Sequence, residues 1–418
     1  MAIFQSSTLF VSISLFCLPL IILCAVLCLP FLICVVSQTD AEFNLPYSPT
    51  KILKVNYVKL SHLLGWLSYL PRIAHYLYWR YWQLGSERFK QIVSVDIPYS
   101  NKSSVCKLDV YYPEKTPDDS APVIIFIYGG SWSSGSKFLY TAFANTLREL
   151  GYVVVVPDYR KYPQVKVDSM YHDVRETIKW TFKHAAEIGG DPELIYVMGH
   201  SAGAHLTSQV VLSDLIEQAK YQELNQVKDS VYHVSKKHDP SIGKVDDHLT
   251  KGSDKQHDFL PQVEGILLFA GVYDIKSHLE HEKKRGIDKI SAMGRAMGSS
   301  AEGYLSNSPI HLIENGAQLF AESEYLLDSL PRILILHGQK DTIVNMEQSS
   351  NMFNTIGKAI PLPHRKEVDV RMRLHKRMGH SEPVLALMPS LFSKSPLRKS
   401  LLRDIQEFID LPPFDDDF

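Results

Sequence analysis

Cysteine is almost missing from the bulk of the chain: Cys17, Cys24, Cys28 and Cys34 fall in the first 40 residues, and Cys106 stands alone after them. One cysteine cannot build a disulfide framework, so the main part of the chain needs no oxidising compartment. An excess of one charge is missing too. Lysine and arginine number 44 against 46 aspartates and glutamates, a formal net charge of -2, and nothing in that balance attracts a nucleic-acid backbone. Zinc-ligand spacing is absent: His278 and His281 in "HLEH" are a lone i, i+3 pair, so neither a metal nor another cofactor is expected. There are no internal repeats.

The first 39 residues lack charged side chains, and Leu9 to Val36 is an almost unbroken apolar run of 28 residues. A bilayer-spanning helix needs about 20. A signal peptide usually has an apolar core of about 7 to 15 residues behind a basic start, and "MAIFQSST" carries no lysine or arginine. Residues 1–40 are therefore expected to be an uncleaved transmembrane anchor, with Pro19 and Pro30 leaving open one crossing or a re-entrant hairpin. From Lys51 to Lys90 seven basic residues face one acid, Glu87, and are interleaved with Trp66, Tyr69, Tyr76, Tyr78, Trp79, Tyr81 and Trp82. Amphipathic rings and snorkelling cations suit a headgroup layer, so residues 41–92 read as membrane-surface helices, with a helical cap on the core as the alternative. Basic residues after the span favour a cytosolic catalytic domain. The sequon at Asn101 points towards a lumen and weighs less.

Residues 93–412 alternate apolar runs with helical stretches. "PVIIFIYGG", "YVVVVPDYR", "LIYVMGHS", "VEGILLFAGVYD" and "PRILILHGQKD" each end in glycine, aspartate or a polar turn. Between them "FLYTAFANTLRELG" and "SMYHDVRETIKWTFKHAAEIGG" have helical spacing and a terminal glycine. Strand, helix, strand, repeated, predicts an α/β fold with a mostly parallel sheet, helices on both faces and chemistry at the carboxyl ends of its strands. One stretch breaks the alternation: Tyr221 to Phe259, with six lysines and no sustained period, reads as a polar surface insertion or disordered loop over about residues 220–260. Residues 413–418 read as a frayed acidic tail.

"VMGHSAGAHL" carries Gly-x-Ser-x-Gly centred on Ser201, after a strand and before a small-residue helix start, which is the setting of a nucleophile elbow. A serine needs a base to take its proton, and the base needs an acid to orient it. In such a sheet the order is Ser, acid, His. Asp341, just past "RILILHG", supplies the acid, and His380 in "RMGHSEP" the base, with His375 in "RLHKR" as its competitor. The oxyanion requires backbone N–H donors. One is expected from Ala202, and others from the turn in "FIYGGSW", where Gly129 and Gly130 let the backbone approach and Gly130 and Ser131 donate.

These segments, with "PDYRKYPQ", "GGDPELIYVMGHSAGAHL" and "HGQKDTIV", resemble α/β-hydrolase esterases of the hormone-sensitive-lipase and kynurenine-formamidase type. The resemblance is strongest to the membrane-bound isoprenylcysteine methylesterases and runs over roughly residues 52–410, including Arg285 to Ile313. It implies an α/β-hydrolase fold, a Ser201–Asp341–His380 triad, and hydrolysis of the methyl ester on a prenylated C-terminal cysteine. Lipidated ester and membrane lipid are then the expected partners, at an endoplasmic reticulum or Golgi membrane. Departures from the family pattern are Tyr128, where lipase-type members carry histidine before the glycine pair, the length of the insertion, and the absence of aspartate before the serine. Two rivals stand: another hydrolase on the same triad, such as an arylformamidase or a lipid or sterol ester hydrolase, and a non-catalytic membrane scaffold.

Overall fold

A computed structural model describes residues 70–114, 120–238, 258–389 and 396–410, together with isolated residues near the N-terminus. Its core is an eight-stranded sheet in the order β1-β2-β4-β3-β5-β6-β7-β8. The strands are β1 (Val93–Pro98), β2 (Lys107–Tyr111), β3 (Ala121–Ile127), β4 (Val153–Pro157), β5 (Gly190–His200), β6 (Gly265–Phe269), β7 (Arg332–Gly338) and β8 (Val370–His375). Pairings from β3 to β8 are parallel, while β1 and β2 join antiparallel at one edge.

The central strands are buried at every residue: Val153–Pro157, Gly265–Phe269 and Arg332–Gly338 have no exposed position. Because successive side chains point to opposite faces, unbroken burial requires helices over both. The Ala202–His238 helix packs on β3, β5 and β6, Thr141–Glu149 on β2 and β4, and Glu347–Ala359 on β7 and β8. The C-terminal helix Pro396–Ile409 reaches the middle of the sheet, where Phe408 meets Tyr196 edge-on at 6.2 Å.

Three sequence expectations need revision or bounding. The first half of the polar insertion is helix: Ala202–His238 runs 37 residues, through Tyr221 and beyond. Glutamate, glutamine, lysine and alanine are good helix formers, and extending a helix already nucleated on the sheet costs little compared with starting one, so no apolar period is needed. Residues 239–257 lie outside the described residues. The described part of the segment before β1 packs on the core, as the cap alternative expects. Helices Leu70–Tyr78 and Ser86–Ile92, joined by a π-helical turn Trp79–Leu84, bury Tyr76, Phe89 and Ile92 on the core and leave Tyr78, Tyr81 and Trp82 exposed.

The expected anchor and the acidic tail lie outside the described residues, apart from Ile22, Leu23 and Val26, which are helical and each more than half exposed. Among the described residues no helix is long and apolar enough to cross a membrane.

Candidate active site

Ser201 stands where β5 ends and the Ala202–His238 helix begins, with φ +55°, a left-handed conformation rare for a side chain with a Cβ. Such strain costs on the order of 1 to 3 kcal/mol and persists only where its surroundings enforce it. The enforcement is visible. Ser201 N–H donates to Phe269 O at 2.8 Å, and its carbonyl accepts from Ala204 and His205 at 3.0 and 3.2 Å. A Cβ on Gly203 would sit 2.0 Å from Ile127 O, and one on Gly199 2.6 Å from Ala204 Cα. The two glycines of Gly-x-Ser-x-Gly are thus required by backbone packing.

His380 Nε2 lies 2.9 Å from Ser201 Oγ, and His380 Nδ1 lies 2.7 Å from Asp341 Oδ2. The three residues come from widely separated stretches of chain, and each is held. Asp341 Oδ1 accepts the N–H groups of Ile343 and Val344 at 2.8 and 2.9 Å, while His337 Nε2 stands 3.2 Å from Oδ2. Burial pushes the Asp341 carboxyl up, but the neighbouring His380 and His337 and their hydrogen bonds outweigh it and hold the group well below the usual carboxylate range. It is a fixed anion. The loop carrying His380 is laced to the acid loop: Lys340 N–H donates to Met378 O at 3.0 Å, and a Cβ on Gly338 would lie 2.0 Å from that same oxygen.

His375 is turned elsewhere, its Nε2 2.9 Å from Asp404 Oδ2 on the C-terminal helix, so of the two candidate histidines only His380 joins the serine. The arrangement can draw the proton from Ser201 Oγ onto a neutral imidazole whose other nitrogen is oriented by an anion.

The glycine turn meets the elbow directly. A Cβ on Gly129 would fall 2.7 Å from His200 O and 2.8 Å from Ser201 Cβ. Gly129 therefore provides closeness, and its carbonyl accepts from Tyr140 OH at 3.4 Å. Gly130 has φ +145°, and Ser131 and Trp132 follow at +52° and +59°. The N–H groups of Gly130, Ser131 and Ala202 have no hydrogen-bond partner among the described residues, as donors reserved for an oxyanion require.

Several supporting residues were not foreseen. Trp132 Nε1 donates to His205 Nδ1 at 3.1 Å, and His205 Nε2 lies 2.8 Å from Asn307 O, so His205 is the Nε2–H tautomer. Burial pushes its pKa down to about 4. His200 donates from Nε2 to His380 O at 2.9 Å, and burial, aided by the nearby His380, pushes it down to about 3. Tyr128, the departure from the lipase pattern, donates its hydroxyl to Asp158 at 2.5 Å and stacks between Tyr140 and Tyr159. The Ile275–Arg285 helix braces the acid loop, with His281 Nε2 3.2 Å from Thr342 O and an Arg285 Nη1 contact to Ile343 O at 3.4 Å. His281 of "HLEH" thus has a positional use, and its only sequence signal was the pair itself.

A family model described as BD-FAE matches residues 108–356, more than half of the chain. A probable isoprenylcysteine alpha-carbonyl methylesterase of Arabidopsis thaliana is 25% identical over 62% of this chain and 48% of its own length. A probable enzyme of the same name from Oryza sativa subsp. japonica is 23% identical over 77% of this chain and 67% of its own. The chain thus spans about half to two thirds of the length of these relatives. Esterase B from Lactobacillus Rhamnosis superposes with a TM-score of 0.56 at 18% identity, covering 87% of this chain and 97% of that one. Carboxyl esterase 2 from Tuber melanosporum gives 0.52 at 17% identity, covering 76% and 87%. Likeness at that identity establishes fold alone, and it agrees with the strand order and elbow. The chain has the α/β-hydrolase fold and belongs to the BD-FAE family.

Proposed function

We propose that this chain is a serine carboxylesterase. The observation that carries the reading is the hydrogen-bonded series Ser201 Oγ, His380 Nε2, His380 Nδ1, Asp341 Oδ2, lying beside three uncommitted N–H donors. In this reading Ser201 Oγ attacks the ester carbonyl while His380 Nε2 takes its proton. The N–H groups of Gly130, Ser131 and Ala202 hold the oxyanion. Collapse breaks the carbon–oxygen bond to the alcohol, which leaves with the proton from His380; water then repeats the sequence on the acyl-serine and releases the acid.

The substrate we propose is the methyl ester of a prenylated C-terminal cysteine, held at a membrane. Support comes from the printed names of the Arabidopsis and rice relatives and from the uncharged apolar run Leu9–Val36, which suits an enzyme whose ester sits half in lipid. The basic residues behind that run favour a catalytic domain on the cytosolic side of an endoplasmic reticulum or Golgi membrane.

The test is a substrate panel with the full chain in detergent: a short p-nitrophenyl ester, a prenylcysteine methyl ester, formylkynurenine and an acetylated sterol. The proposal expects the prenylcysteine methyl ester to be preferred and Ser201→Ala to abolish hydrolysis. Preference for formylkynurenine or the sterol ester reassigns the substrate. Failure of a fluorophosphonate to label Ser201 supports the scaffold reading instead.

A further inference from the structure

The helices before β1 present aromatic side chains to solvent on the flank of the oxyanion loop. Trp82 is 77% exposed, Tyr81 55% and Tyr78 51%, and Tyr78 and Trp82 stack at 6.1 Å. Large aromatic rings seldom stand so bare in a group on a soluble monomer. Val95 and Phe138, about half exposed, continue the surface: with Arg80 and Phe89 they line one open cavity of about 360 Å³.

Two sets of contacts link this surface to the site. Thr141 Oγ1 donates to Phe138 O at 3.1 Å, and the Leu70–Tyr78 helix packs on the helix that Thr141 begins. One residue earlier, Tyr140 lies against Tyr128 at 5.2 Å and bonds Gly129 O. Asp158, which accepts the Tyr128 hydroxyl, lines the same cavity. The bare aromatics are thus a few contacts from the oxyanion turn.

The helices themselves carry one dominant sign. Residues 70–92 carry Arg72, Arg80, Arg88 and Lys90 against Glu87 alone. Glu87 is paired with Lys90 and Glu114 with Arg88, and the cavity beside the helices sets Asp96, Asp109 and Asp158 against Arg80 and Lys137, so the positive excess belongs to the helices alone. Upstream in the chain lies the uncharged apolar run that ends at Val36.

We propose that Tyr78, Tyr81, Trp82, Val95 and Phe138 form a docking face for the headgroup layer of an anionic phospholipid bilayer, which seats the mouth of the Ser201 site against the membrane. Tryptophan and tyrosine suit that layer because one end of each ring is apolar and the other polar, and cations nearby meet the lipid phosphates. A substrate with a lipid tail then reaches Ser201 without crossing water. The inference rests on the reading of this chain as a membrane protein and is independent of which ester it cleaves.

The experiment reconstitutes the full chain into phosphatidylcholine–phosphatidylserine vesicles whose acyl chains are brominated near the headgroups. Comparing wild type with Trp82→Phe isolates the emission of Trp82. Docking expects the lipid bromines to remove at least about half of that emission. Trp82 left unquenched in chain that floats with the vesicles overturns the proposal, and equal quenching without phosphatidylserine overturns its anionic part. In a second arm, the triple variant Tyr81→Ser, Trp82→Ser, Phe138→Ser keeps wild-type rates on a short soluble ester in detergent. On a long-chain ester embedded in the vesicles it loses about tenfold. A dimer in sedimentation velocity that the triple variant dissociates assigns the face to a second copy and overturns docking. If the esterase reading fails, both substrates go unhydrolysed while the quenching arm still decides the docking.

Discussion

Trp132 Nε1 stands 3.1 Å from His205 Nδ1, so the oxyanion turn is tied by a hydrogen bond to the helix that Ser201 leads into. Ser131 and Trp132 are in consecutive left-handed conformations, and an anchor on the second holds the N–H of the first. Trp132→Phe keeps a ring in place but leaves a buried His205 nitrogen unpaired, which costs about 1 to 3 kcal/mol. Chemical denaturation should register that loss. Steady-state kinetics should show kcat reduced about tenfold with KM nearly unchanged, because the turn serves the transition state more than the bound ester. An unaltered kcat in a destabilised variant would make the bond structural only.

Asp341→Asn isolates the orientation of His380. The amide oxygen can still accept from Ile343 and Val344, so the loop survives, but the amide NH2 now faces His380 Nδ1. That reverses the tautomer and puts a hydrogen, in place of a lone pair, against Ser201 Oγ. We expect kcat on a p-nitrophenyl ester to fall about 10⁴-fold with an unchanged circular dichroism spectrum.

Gly129→Ala and Gly203→Ala separate function from folding at two close approaches. The new methyl on Gly129 meets Ser201 Cβ and His200 O, and the turn it displaces has few other backbone bonds. Soluble, folded protein with activity reduced at least about 100-fold is expected, since a lost oxyanion donor alone costs that much. At Gly203 the methyl meets Ile127 O in the middle of the sheet. Expression in insoluble form, or a melting temperature lower by several degrees, is the outcome there.

Acid should unfold the protein through its buried histidines. Burial pushes His200 to about 3, aided by His380, His205 to about 4, and His278, beside His281, to about 3. Each folded-state value lies below the unfolded one near 6.5, so the unfolded chain binds more protons and stability falls as pH drops from about 6.5 towards 4. Glu282 acts the other way. Burial raises its carboxyl to about 7, and its contribution is present below about 4.5 and lost as pH rises through 7. Asp109, Glu264 and Asp410, whose carboxyls burial also raises, act in the same direction as Glu282. The three histidines carry the larger displacement, and urea midpoints should fall between pH 6.5 and 5. His205→Gln should make that slope shallower by up to about 1.4 kcal/mol per pH unit; an unchanged slope would show that His205 does not titrate on unfolding.

Much of this architecture was legible as pattern. Apolar runs of five to seven residues closing on glycine or aspartate located β3 to β7, because strands buried on both faces have no room for polar side chains. β1, "VSVDIP", escaped notice because an edge strand half open to solvent need not be apolar. The helix through Tyr221 escaped because it inherits its start from the elbow.

The sequence by itself determined that a serine would stand on a tight strand-to-helix turn, since only glycine fits where Gly199 and Gly203 meet backbone, and that an acid and a histidine would follow in that order. The tertiary structure decided between His375 and His380, because the choice depends on which side chain the β8 loop turns towards Ser201 and which towards Asp404. It also decided the uses of Trp132, Tyr128, His200 and His205, whose partners lie far along the chain. Local pattern records what a residue needs from its near neighbours. A hydrogen bond between Ser201 and His380, 179 positions apart, exists only once the sheet has closed that distance.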